Sequence, residues 1–213
     1  MRKWLASKLF WGILFIIGGL ITLLQNLGYL PQGGIFWAIL AGLGAVFFIS
    51  FYIENRRNWW AFIPGISLIG LTVAILLDWL IPNLPDTITG FIFLGSIGIS
   101  FLAIYLVDHS NWWAIIPGGT LLTIGILTAL DPYINDAGSG GLFFLGMGLT
   151  FMLVAILPNP SGRMTWAWIP AGILAGMGVL MVAFAGKLIY YVAPAVLIVV
   201  GIVLVTRALR KTD

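Results

Sequence analysis

Asn111-Trp112-Trp113-Ala114-Ile115-Ile116-Pro117-Gly118-Gly119 is the stretch that organises this chain, because it occurs more than once. An earlier copy reads Asn58-Trp59-Trp60-Ala61-Phe62-Ile63-Pro64-Gly65, and a looser later one reads Trp166-Ala167-Trp168-Ile169-Pro170-Ala171-Gly172. The prolines fall at 64, 117 and 170, a spacing of 53 each time. The same interval links Asn58 to Asn111, Asp78 to Asp131, Tyr52 to Tyr105, Gly12 to Gly65 and Gly148 to Gly201. A fixed period of this length marks a tandem array of supersecondary units.

The composition says what kind of array it is. Of 213 residues, 61% are hydrophobic and 8% charged, against roughly 25% charged in soluble domains, and the mean hydropathy is +1.11. Such a chain reads as an integral membrane protein. A net charge of +3 carried by ten Lys and Arg spread along the sequence makes no basic face, so nucleic acid is not an expected partner. The absence of cysteine removes disulfides and thiolate chemistry. A single histidine, His109, cannot supply two axial haem ligands, and no cofactor is implied.

A bilayer core of about 30 Å takes about 20 apolar residues per helix. Breaking the chain at its charges and turn residues predicts spans at 9–24, 35–53, 59–78, 87–107, 112–130, 142–157, 165–185 and 188–209. The basic start, Arg2-Lys3 with Lys8, resembles a signal peptide, but no small-x-small cleavage site precedes the second apolar run, so 9–24 reads as a retained span. Gly138-Ser139-Gly140-Gly141 reads as flexible loop. The expected fold is therefore all-α, with eight transmembrane helices arranged as four tandem helical hairpins, units 8–57, 58–110, 111–163 and 164–211. Each hairpin returns the chain to its starting side, so the units are parallel repeats and a pseudo-four-fold packing follows naturally.

Charge fixes the expected orientation. Arg2, Lys3, Lys8, Arg56, Arg57, Arg163, Arg207, Arg210 and Lys211 lie on the side of both termini, and only Lys187 lies on the other. The positive-inside rule places both termini in the cytoplasm, in a cell's inner membrane.

Few side chains carry chemistry. Trp59, Trp60, Trp112, Trp113, Trp166 and Trp168 stand at the cytoplasmic start of their helices, where an indole's apolar body and single N–H suit the headgroup level. They read as interface anchors, with an aromatic cage as the alternative. Asp78 and Asp131 share one repeat position near the outer helix ends. Two carboxylates so placed could form a proton or cation site, or simply mark the helix ends, since Pro82 and Pro132 follow and the other two units carry Gln25 and Phe184. Gly172-x-x-x-Gly176 has the spacing of a close-packing motif. Thr22, Ser67, Thr72, Ser96, Ser100, Thr120, Thr123, Thr128 and Thr150 can bond to their own helix or line a narrow polar path. His109, beside Asp108, has no nucleophile or second ligand in its motif.

The first hairpin runs Trp11-Gly12, then Gly18-Gly19, then Leu23-Leu24-Gln25-Asn26-Leu27-Gly28, and resumes at Phe36-Trp37-Ala38 with Gly42 following. It resembles the LiaI/LiaF-like transmembrane region of bacteria, departing from it at Trp37-Ala38, where a Trp-Pro is common. The resemblance implies a cytoplasmic-membrane protein of the envelope-stress or accessory kind, without enzymatic activity. The soluble domain of LiaF-type proteins has no counterpart here, so no sensor role is implied. The expected function is that of a scaffold, an accessory subunit of a membrane complex or an envelope-associated factor. Membrane lipids, other membrane subunits or further copies of the chain would be its partners. The alternatives are a channel or carrier for a small neutral or apolar solute, and a lipid-modifying enzyme using Asp78, Asp131 or His109.

Overall fold

The computed structural model describes residues 8–29, 34–134, 136–160, 162–185 and 198. The described residues form seven α-helices and no strand: α1 (Lys8–Asn26), α2 (Ile35–Glu54), α3 (Phe62–Leu80), α4 (Asp86–Val107), α5 (Ile115–Leu130), α6 (Asp136–Ile156) and α7 (Trp168–Ala185). Six segments, Ile35–Glu54, Trp59–Leu80, Asp86–Val107, His109–Tyr133, Gly138–Ile156 and Thr165–Ala183, are long and apolar enough to cross a membrane, and a shorter apolar helix covers Ile16–Asn26. These are the features of a multi-pass membrane protein. The expected span 188–209 and the charges at Arg2, Lys3, Lys187, Arg207, Arg210 and Lys211 lie outside the described residues.

Helices α3, α5 and α7 are each introduced by a 3-10 turn, Trp59–Ala61, His109–Ala114 and Thr165–Ala167. Pro64, Pro117 and Pro170 are the third residue of their helices, within the first turn, where a missing N–H breaks no helical hydrogen bond. The turns close on Ala61, Ala114 and Ala167, all 0% exposed. A larger side chain at any of the three would have to displace its neighbours.

One expected loop is helix. Gly138-Ser139-Gly140-Gly141 belongs to the first turns of α6, although glycine costs roughly 1 kcal/mol against alanine in a helix. Packing supplies the reason: a Cβ on Gly141 would lie 2.8 Å from the Val182 backbone nitrogen and 3.1 Å from the Gly178 carbonyl oxygen of α7. The absent side chains let two backbones meet, and that contact outweighs intrinsic propensity.

Similar seams join consecutive helices from α2 to α7, and among the described residues extensive backbone contact is confined to such sequence neighbours. Gly65 of α3 lies against Ile49 of α2, and Gly118 of α5 lies against Leu102 and the Gly98 carbonyl of α4. Gly65 and Gly118, like Ile49 and Leu102, are 53 residues apart. Among the described residues ten of the fourteen buried hydrophobic ones are alanines, so what is buried there is close-packed seam. The large side chains point outward: Ile39, Val46, Ile99, Leu149, Ile173 and Val179 are all more than half exposed. In lipid this costs nothing, because acyl chains are as apolar as the side chains facing them.

The Gly172-x-x-x-Gly176 motif does not take part in these seams. Among the described residues a Cβ on either glycine would meet nothing within 4 Å, and α7 packs on α6 through Ala171, Ala175 and Gly178.

Candidate functional site

The end of the molecule carrying the tryptophans is the most ordered in its chemistry. Asn55 and Asp108 leave α2 and α4 in the same extended conformation, φ −147°, ψ 109° and φ −145°, ψ 105°. The side-chain oxygen of each accepts the N–H two residues on, of Arg57 and Ser110, at 2.9 Å. The chain then bends at Asn58 and Asn111 with matching angles, φ −85°, ψ 48° and φ −86°, ψ 41°. Short polar side chains suit such turns because they satisfy the backbone locally.

This geometry sets the indoles in a series. Trp59 meets Trp113 edge to face with centroids 5.9 Å apart, and Trp112 meets Trp166 at 6.2 Å. In each case the ring at the first position of one copy of the motif touches the ring at the second position of the next. Phe48 backs Trp60 at 6.3 Å and Phe101 backs Trp113 at 6.2 Å, again 53 residues apart. Edge-to-face pairs of this kind contribute about 0.5–1.5 kcal/mol beyond area burial. Trp60, Trp113, Trp166 and Trp168 keep more than a third of their surface exposed, whereas Trp59 and Trp112 are half-buried. Trp168 stands at the register position of Phe62 and Ile115, so it lies outside the series.

The series explains an asymmetry in the sequence. The first position of the motif is Trp59, Trp112 and then Thr165. The two tryptophans each meet a ring of the following copy.

Beneath the rings, Tyr105, Ile115, Val154, Ala155 and Ala167 form a buried cluster that draws α4, α5, α6 and the start of α7 together. Arg56 lies over the Tyr52 ring at 5.6 Å. Trp113 Nε1 donates to Asn111 Oδ1 at 3.3 Å, and Asn111 Nδ2 is buried without a partner, whereas Asn58 Nδ2 donates to the Phe51 carbonyl at 3.1 Å. His109 is exposed and stacks edge-on against Tyr105 at 4.8 Å. The hydrogen bonds from Ser110 and the charge of His109 hold the Asp108 carboxyl below the usual carboxylate range.

Asp78 and Asp131 sit at the opposite end, both exposed, Asp78 in the last turns of α3 and Asp131 opening a 3-10 turn after α5. The helix between His109 and Asp131 has 16 residues, so roughly 24 Å of rise separates them. Histidine and aspartates therefore do not share a site. Among the described residues no three His, Asp or Glu side chains come together as a metal-holding group.

All nine hydroxyls singled out in the sequence donate to a carbonyl of their own helix, from Thr22 to Gly18 at 2.9 Å through Thr150 to Gly146 at 2.9 Å. Two also reach a neighbouring helix, Thr72 to the Ala38 carbonyl and Thr120 to Met147 Sδ. The ring series and the Tyr105 cluster were not anticipated from the sequence. Laying the chain on itself at an offset of 53 residues, and asking which position of one copy faces which position of the next, is the signal that could have found them.

Comparison of the chain with family models, curated proteins and solved structures gives no match.

Proposed function

We propose that this is a non-enzymatic, polytopic protein of the cytoplasmic membrane, acting as a scaffold, an accessory subunit of a membrane complex or an envelope-associated factor. In this reading eight spans form four parallel hairpin units with both termini in the cytoplasm. The 53-residue recurrence of the turn at Asn55 and Asp108, of the buried alanines and of the glycine seams supports the repeat. The basic residues concentrated at one end support the orientation. The envelope element comes from the likeness of the first hairpin to the LiaI/LiaF-like region.

The observation that carries the role is the distribution of side-chain size. Small residues are spent on the internal seams, and large apolar side chains cover the outside of every described span. Such a surface offers other membrane helices ridges to pack against. A solute path draws no support from the hydroxyls, which are committed to their own helices. Affinity purification of the full-length protein from native membranes in a mild detergent tests the proposal. A membrane-protein partner at fixed stoichiometry is the expected result. A chain that runs alone, and whose deletion leaves membrane complexes and envelope-stress responses unchanged, overturns it.

A further inference from the structure

One seam is not closed. Between α5 and α6 lies a cleft of about 290 Å³, open along one side, lined by Thr123, Leu127 and Leu130 from one helix and Leu142, Leu145 and Leu149 from the other. Its origin is visible one repeat interval earlier. In the α3–α4 seam Gly70 makes room for Ser96, and 53 residues on the same two positions hold Thr123 and Leu149. Glycine and serine have become threonine and leucine, and both of these line the cleft.

Both helices are membrane spans by length and hydropathy, so the open side of the cleft faces hydrocarbon. Its one hydroxyl, Thr123, already donates to the Gly119 carbonyl at 2.8 Å. Nothing in the lining asks for a polar ligand, and water there would lack the two to four partners it needs. At the low end of ligand-pocket volumes, roughly 300 Å³, the cleft suits one narrow chain that continues along the helices.

A charged residue follows the lining on α5. Thr123, Leu127 and Asp131 are spaced by four on one helix face, and Asp131 continues the helical backbone with φ −46°, ψ −43°. Asp131 is exposed, one residue past Leu130 and about one turn past Leu127 of the lining. The described residues at that end, 27–29, 81–86 and 131–134, include no lysine or arginine. A carboxylate at the mouth of an acyl-sized groove complements a cationic headgroup.

We propose that the α5–α6 cleft holds one acyl chain of a phospholipid whose headgroup carries an ammonium, with that ammonium set on the Asp131 carboxylate. The site stands apart from the scaffold reading and survives its failure. The test uses the full-length protein in phosphatidylcholine vesicles containing a trace of either phosphatidylethanolamine or phosphatidylglycerol with a photoactivatable group on one acyl chain. After irradiation, the adducts are mapped by peptide mass spectrometry. Adducts on segments 123–130 and 142–149 are expected to be several-fold more abundant with the ethanolamine lipid than with the glycerol lipid. Asp131→Asn should bring that ratio to unity, and Leu127→Trp, which fills the groove, should remove adducts there while leaving those on 62–107 unchanged. Equal labelling by the two lipids in the unmodified protein, a preference that persists in Asp131→Asn, or undiminished adducts in Leu127→Trp overturns the proposal.

Discussion

The hydroxyl of Tyr105, near the end of α4, donates a 2.7 Å hydrogen bond to the carbonyl oxygen of Pro158, just past the end of α6. Donor and acceptor are 53 residues apart, so the bond joins one register position to its own successor. Among the described residues the extensive backbone seams join consecutive helices; this bond skips α5 and ties the loop after α6 to the helix two before it. Tyr105 is 5% exposed, and a phenol so placed needs a partner for its O–H.

Tyr105→Phe should therefore lower stability by about 0.5–1.5 kcal/mol, the ordinary net worth of a buried hydrogen bond. Tyr52→Phe is the control. The Tyr52 hydroxyl at the equivalent position only accepts a 3.5 Å contact from exposed Arg56, so its loss should be close to neutral. Denaturant titration of both variants in the same detergent checks the contrast. Equal losses would mean that the Pro158 bond contributes nothing specific.

The glycines separate into seam and surface. A Cβ on Gly98 would lie 2.9 Å from the Gly118 carbonyl oxygen and 2.8 Å from Leu122 Cγ, so Gly98→Ala should force α4 and α5 apart at a cost of about 1–3 kcal/mol. Gly172→Ala meets open space among the described residues. It should be neutral or stabilise by up to about 1 kcal/mol through helix propensity. Thermal unfolding of the two variants side by side reads the difference.

That contrast marks how far the sequence could be read. The starts of α3, α5 and α7 were legible because tryptophan, alanine and proline recur at a fixed interval and each has a local reason to be there. Gly138–Gly141 was misread as loop because its helix is held by Val182 and Gly178, which lie 37 or more residues away in sequence. For the same reason Gly172 and Gly176, spaced correctly, said nothing about which face α7 would use. The α5–α6 cleft was hidden because neither Thr123 nor Leu149 is unusual alone; only set against Gly70 and Ser96 does the pair stand out.

Asp108 makes the second turn sensitive to pH. Its carboxyl is held below the ordinary range mainly by the Ser110 N–H. A group whose folded pKa lies below its unfolded value stabilises the fold above the unfolded value, and that contribution is lost as pH falls through the folded one. Exchange of the Ser110 amide with solvent, corrected for its intrinsic pH dependence, should thus become less protected below the carboxylate range. Asp108→Asn should abolish the pH dependence and keep the turn, because Asn55 already accepts the Arg57 N–H at 2.9 Å in the same backbone conformation. Persistent pH dependence in Asp108→Asn would mean that the Asp108 carboxyl is not its source.

The Thr123 and Leu149 side chains that line the α5–α6 cleft can be replaced with residues the chain already uses at the equivalent positions. Thr123→Gly with Leu149→Ser reproduces the Gly70/Ser96 pair of the α3–α4 seam. The single Thr123→Gly change should destabilise, because it removes a side chain packed on Gly146 and leaves Leu149 with a larger void to border. The double variant should recover part of that loss as the helices close, since two small residues permit an approach that one small and one large residue do not. The coupling between the two changes is expected at about 0.5–3 kcal/mol, as for residues sharing a cavity. The distance between spin labels at Ile126 and Leu153, both exposed on their helices, should shorten in the double variant. If the double variant is additive and the label distance unchanged, Thr123 and Leu149 are not what holds the cleft open.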